Sequence, residues 1–114
     1  MSVSKNTYVI YGYDLSMMRN VLLTEELCES KKYEEMVCCQ RKGKIQLFDD
    51  PMNGDYLYAG FIVGEFDEYG GDECIKANAS NAEMYHAMVD QQLEDWNIHI
   101  GVLPFELIVF NEYT

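Results

Sequence analysis

Residues 56–66 read Tyr-Leu-Tyr-Ala-Gly-Phe-Ile-Val-Gly-Glu-Phe, and the packing of this stretch decides the fold. Aromatic and β-branched residues dominate it, and they favour an extended backbone. One alternating set is Tyr56, Tyr58, Gly60, Ile62, Gly64 and Phe66; the other is Leu57, Ala59, Phe61, Val63 and Glu65. Both sets are largely apolar, so the strand is expected at the centre of a sheet with each face at least partly covered. Just before it, Asp49 to Asp55 contains Pro51 and the pair Asn53-Gly54, a strong turn signal. Residues 45–48 (Ile-Gln-Leu-Phe) precede that turn as another strand, giving a hairpin over about 45–66.

Working outward, residues 7–13 (Thr-Tyr-Val-Ile-Tyr-Gly-Tyr) form a first strand, after which Asp14 and Ser16 offer capping oxygens. Met18, Val21 and Leu22 have helical spacing, Thr24 followed by two glutamates marks a second helix start, and Tyr33, Met36, Val37 and Gln40 mark a third piece. Ser80 and Glu83 have capping-box spacing for a helix running to about Asn97. On that helix Ala82, Tyr85, Met88, Val89, Leu93 and Trp96 gather on one side. Glu83, Asp90 and Glu94 are expected opposite, within about 40° of one another. Pro104 interrupts the chain, and residues 105–110 (Phe-Glu-Leu-Ile-Val-Phe) make the last strand. The expected fold is a compact single α+β domain over residues 1–114. Its sheet has about four antiparallel strands with two helical regions on one face, in the ferredoxin-like order βαββαβ. That order puts the first strand and the 56–66 strand in the middle.

With 114 residues the chain is long enough to bury a core, and 48% hydrophobic and 13% aromatic content is too high for a disordered segment. Twenty acids stand against eight lysines and arginines, a formal net charge of −12. Such a charge opposes direct binding to nucleic acid or to an anionic membrane, both of which require cations on the protein. The acids are also unevenly placed. Residues 1–44 hold seven bases and six acids; residues 45–114 hold fourteen acids and Lys76 as their one base. No secretory signal is expected at the start and no apolar run reaches membrane length, so the expected location is cytoplasmic, the host cytoplasm if a phage encodes the chain.

An acidic surface of this kind is complementary to a basic cleft and accelerates association through its long-range field. The expected partner surface is made of Glu83, Asp90, Glu94 and Asp95 on the last helix, joined by Asp67, Glu68, Asp72 and Glu73 of the loop before it and by acids of the 49–55 turn. In size and charge the chain resembles the small acidic inhibitors that phages and mobile elements direct against restriction, repair and CRISPR nucleases. That resemblance implies a non-catalytic protein that mimics nucleic acid and occupies the basic nucleic-acid-binding surface of a nuclease or similar partner. The alternative expectation is a small-molecule-binding or regulatory domain of the same fold. In that case Tyr8, Tyr11, Tyr13, Tyr56 and Tyr58 would line an open sheet face or a homodimer interface.

Other residues with chemical potential read as structural. Asp49, Asp50, Asn53 and Asp55 lack the EF-hand spacing and are expected to cap their turn. His86 and His99 are not at i, i+4, and Cys28, Cys38, Cys39 and Cys74 contain no C-x-x-C pair, so no metal site is expected. The serines and glycines match no nucleophile elbow or phosphate loop. No enzyme activity and no cofactor are expected.

Overall fold

The computed structural model describes residues 5–37, 44–50, 54, 56–67, 70–71 and 79–113. Strand β1 spans Lys5–Asp14, β2 Ile45–Asp49, β3 Leu57–Asp67, β4 Gly70–Gly71 and β5 Glu106–Tyr113; the helices are α1 (Arg19–Leu22), α2 (Glu25–Cys28), α3 (Lys31–Val37) and α4 (Ala79–Asp95). The main sheet has the order β2-β3-β1-β5 with antiparallel neighbours, and β4 adds to the end of β3. The strands expected in the centre are the central ones, consistent with the split βαβ order. Helix α3 packs on β2, and α4 crosses β1 and β3.

Each helical boundary has a local cause. A 3-10 turn at Ser16–Met18 leads into α1, so the expected first helix is broken into short pieces. Met18 and Leu22 reach the core, but Val21 points into solvent. Thr24 caps α2 by accepting from the Leu27 amide at 3.1 Å, as its position before two glutamates leads one to expect. Helix α3 stops at Val37; Gln40, expected in it, lies outside the described residues. Helix α4 begins one residue before the expected cap at Ser80. It ends where Asn97 takes a left-handed conformation, φ 59°. The Ile98 amide then donates to the Leu93 carbonyl at 2.8 Å, and the Asn97 amide to Glu94 at 3.0 Å. This pair of bonds is a Schellman cap, and its hydrophobic contact is made by Leu93 and Ile98, buried in one cluster.

The sheet has two apolar faces. Tyr13, Leu15, Leu47, Leu57 and Ala59 meet Met36, Val89, Leu93 and Ile98 beneath the helices. The other face carries Tyr8, Ile10, Phe48, Ile62 and Phe110, buried without a helix above them among the described residues. Curvature of the sheet closes this second core. Phe48 on one edge strand lies opposite Tyr58, in the row of Asp14, whereas Phe110 on the other edge lies opposite Tyr8, six positions along β1. On a flat sheet those rings would sit more than about 20 Å apart. Their centroids are 5.0 Å apart, so the diagonal corners fold toward each other and the face is concave.

Two features permit the bend. Gly12 and Gly60 oppose each other in the central strands, and a Cβ at Gly12 would overlap the Ala59 carbonyl. The register also shifts between Val9 and Ile10, leaving Val63 as the extra residue of a bulge in β3. The bulge corrects the alternation expected along 56–66. Gly64 pairs with Val9 and Phe66 with Thr7, so beyond Val63 both belong to the helix side rather than to the concave set.

Candidate functional site

Helix α4 carries most of the acids expected to meet a partner. Glu83, Glu94 and Asp95 are exposed along it; Glu83 and Glu94 are separated by about 16 Å of helix axis, and Asp95 accepts a bond from Gln91 one turn back. No lysine or arginine lies on this helix or after it. The helix is rotated slightly from the expected orientation. Val89 and Leu93 are buried and Tyr85 stacks on Phe61, but Met88, expected on the apolar side, is largely exposed.

Asp90 does not stand out with its neighbours, because it lies at the border of the buried face. It is half-buried and accepts a short hydrogen bond from the Tyr13 hydroxyl on β1. The same hydroxyl lies 2.9 Å from His86 Nε2, which is 3.3 Å from the other Asp90 oxygen. The His86 ring stacks on Phe105 with centroids 4.3 Å apart. Burial first, then the hydrogen bond and charge of Asp90, push the Tyr13 pKa up. A phenol so placed stays neutral and donates; it is a poor base or nucleophile. The triad therefore pins α4 to β1.

Asp67 is exposed at the end of β3, opposite Asn6 and Gly70. Glu68, Asp72 and Glu73 lie outside the described residues. The acids of the 49–55 turn do not all join an outer surface. Asp49 accepts from Arg19 Nε at 2.7 Å and from the Tyr33 hydroxyl at 3.2 Å, which ties the hairpin end to α1 and α3. Pro51, Asn53 and Asp55 of the turn are outside the described residues. Glu112 is buried on the concave face, so it too is lost to an external array.

The concave face divides the tyrosines that sequence places together. Tyr8, Tyr56 and Tyr58 lie on it, with Tyr56 and Tyr58 stacked at 4.9 Å. Tyr11 and Tyr13 belong to the opposite side, where Tyr11 stacks on Phe105 and meets Tyr85 at a tilt. Strand parity separates them. Carboxylates ring the concave tyrosines. Burial, then Glu112 and Glu65, push the Tyr8 pKa up to about 12. Tyr56 is raised by burial, then by Glu112 and Asp50, and Tyr58 by burial, then by Asp14 and Glu106.

At the seam where β2 approaches the end of β5, a cleft of about 230 Å³ opens beside Tyr33, Gln46, Phe48, Asp49 and Glu112. Gln46 was not singled out by sequence; its one signal is a glutamine alternating with the apolar residues of an edge strand. Among the described residues no three His, Cys, Asp or Glu side chains converge as metal ligands, and no helix is long and apolar enough to cross a membrane. No protein-family profile, curated protein or solved structure matches the chain.

Proposed function

We propose that the protein is a non-catalytic acidic binding domain that docks on a basic protein surface and keeps nucleic acid off it, in the manner of anti-restriction or anti-CRISPR inhibitors. The observation that carries this function is the set of exposed carboxylates on α4, Glu83, Glu94 and Asp95, with no lysine or arginine on the helix or after it. Other acids have internal work: Asp49 holds Arg19, Asp90 holds Tyr13, and Glu112 is buried. Those left on α4 are available to a partner at a cost in self-repulsion that a merely soluble surface would avoid by mixing signs.

The test is a pull-down from a bacterial lysate at low and high salt, followed by kinetics on the recovered partner. A nucleic-acid-processing protein is expected at low salt and lost at high salt. Reversal of Glu83, Glu94 and Asp95 to Lys is expected to slow association by about tenfold or more with the fold intact. Asp90 is left out of that variant because its loss would unpin the helix. Recovery of no such protein at low salt, or unchanged association by the triple variant, refutes the function.

A second function, a small-molecule-binding or regulatory domain, is favoured by the cleft beside Gln46, between α3, β2 and the end of β5. Ligand-induced thermal stabilisation would reveal it.

A further inference from the structure

Strand β5 is an edge of the sheet. It pairs with β1, and among the described residues no strand pairs with its outer side. Its eight residues run against β1 in unbroken register, from Glu106 opposite Gly12 to Tyr113 opposite Lys5. An edge of that length offers a row of backbone donors and acceptors to another strand, and proteins ordinarily blunt it with lysine, proline or a bulge. Residues 106–113 contain no lysine, arginine, proline or glycine, and the pairing with β1 has no bulge. The opposite edge is guarded: β2 has five residues and α3 packs on it.

The side chains of β5 add to this openness. Helix α4 covers β1 and β3, whereas on β5 Leu107 and Val109 remain 49% and 62% exposed. Alternation puts both on the helix side of the sheet, two positions apart, as an apolar pair beside the free backbone. Charge then selects the occupant. Glu106 is exposed at the start of the strand, and Asp14 at the same end of β1 adds its charge while accepting from Ser16. Lys5 lies at the other end, across from Tyr113. An incoming strand therefore meets acids beside Glu106 and a base beside Tyr113. A second copy of the chain is disfavoured, because each carries a net charge of −12 and would bring a second Glu106 to the same edge.

We propose that the outer edge of β5 accepts an extended segment of a partner protein by antiparallel strand addition. The segment sets two apolar residues opposite Val109 and Leu107 and ends in lysine or arginine opposite Glu106. Backbone bonds supply the affinity of such a contact and the alternating side chains its selectivity. This contact goes beyond docking through α4 and uses no side chain of that helix, so either can fail while the other stands.

The experiment is amide hydrogen exchange of the isotope-labelled full chain, read by NMR, with three capped heptapeptides. The first, Thr-Thr-Ile-Thr-Val-Arg-Lys, carries the pattern. The second ends in two glutamates instead, and the third has the first peptide's residues reordered so that Ile and Val are adjacent. The first is expected to slow exchange, saturably at millimolar concentration, at the alternate β5 amides that point away from β1. The other two are expected to bind at least about tenfold more weakly. Val109→Lys is expected to weaken the first peptide about tenfold and to leave the melting temperature of the free protein nearly unchanged, since that side chain is already exposed. Equal protection by the glutamate peptide overturns the choice of partner, and equal protection by the reordered peptide overturns strand addition. No saturable protection on β5 overturns both. Protection of the same amides without peptide, deepening with concentration as a dimer forms in sedimentation, overturns the proposal by giving the edge to a second copy. These comparisons on the unaltered protein decide the matter even if Val109→Lys does not fold.

Discussion

Tyr13 shows how one hydroxyl can replace a larger apolar contact. Its ring is buried between β1 and α4, edge-on to Phe105, while its oxygen meets Asp90 and His86 at the rim of the core. Bonds to a charged acceptor are worth more than neutral ones, though here water can reach half of the carboxylate. Tyr13→Phe is therefore expected to cost about 1–2 kcal/mol, read as a lower urea midpoint with an unchanged slope. A slope that falls instead would mean that α4 detaches in the native state. No loss at all would mean that the triad is a surface contact with no part in holding the helix. Asp90 also marks a limit of sequence periodicity. It is only about 80° from the centre of the buried side, near enough for a tyrosine on the sheet to capture it, and a helical wheel contains no information about which strand residue lies across from it.

Among the elements, α4 and the β2–β3 hairpin were legible because their signals are local. A glycine-containing turn between two apolar runs and a long amphipathic period need no tertiary knowledge. The pairing of β1 with β3 followed from the apolar character of both strands. The concave curl was not legible, because it arises from a pairing. Gly12 and Gly60 are unremarkable singly, and only the register sets them opposite each other where the strands bend. The bulge at Val63 escaped for the same reason. Glycine-to-alanine changes in a compatible strand usually stabilise by about 0.4–1 kcal/mol through the unfolded chain. Here the sign reverses. A methyl at Gly12 or Gly60 would run into the backbone of the opposing strand, not into a flexible side chain that could move. Gly60→Ala is expected to destabilise by about 3 kcal/mol or more, measured by chemical denaturation. It should also expose the Phe48–Phe110 contact, giving increased binding of a hydrophobic dye. A stable Gly60→Ala variant with native ring packing would show that the glycine pair does not set the curvature.

On the scale of the whole molecule, negative charge surrounds two cores differently. Beneath the helices Asp49 is paired with Arg19, and Asp90 accepts from the Tyr13 hydroxyl. Around the concave face the acids are set beside phenols, which remain neutral at ordinary pH and so coexist with carboxylates without repulsion. That arrangement fails at alkaline pH. Tyr8, Tyr13, Tyr56 and Tyr58 all hold their protons more tightly in the folded protein than the ordinary value near 10, Tyr8 up to about 12. The unfolded chain releases those protons first, so it binds fewer of them above about pH 10, and folding stability must fall as pH rises. The stabilisation is fully present below about pH 10 and is lost progressively toward about pH 12, with a slope of about 1.4 kcal/mol per pH unit for each proton that differs. Urea unfolding at about pH 9, 10 and 11 should show a plateau followed by a steep decline, with phenolate absorbance from these tyrosines rising only as the protein unfolds. Added salt should soften the decline only slightly, because the carboxylates nearest the rings act through the protein interior. Phenolates of Tyr8, Tyr56 and Tyr58 that appear near pH 10 while the protein stays folded would show that the concave face is open to water.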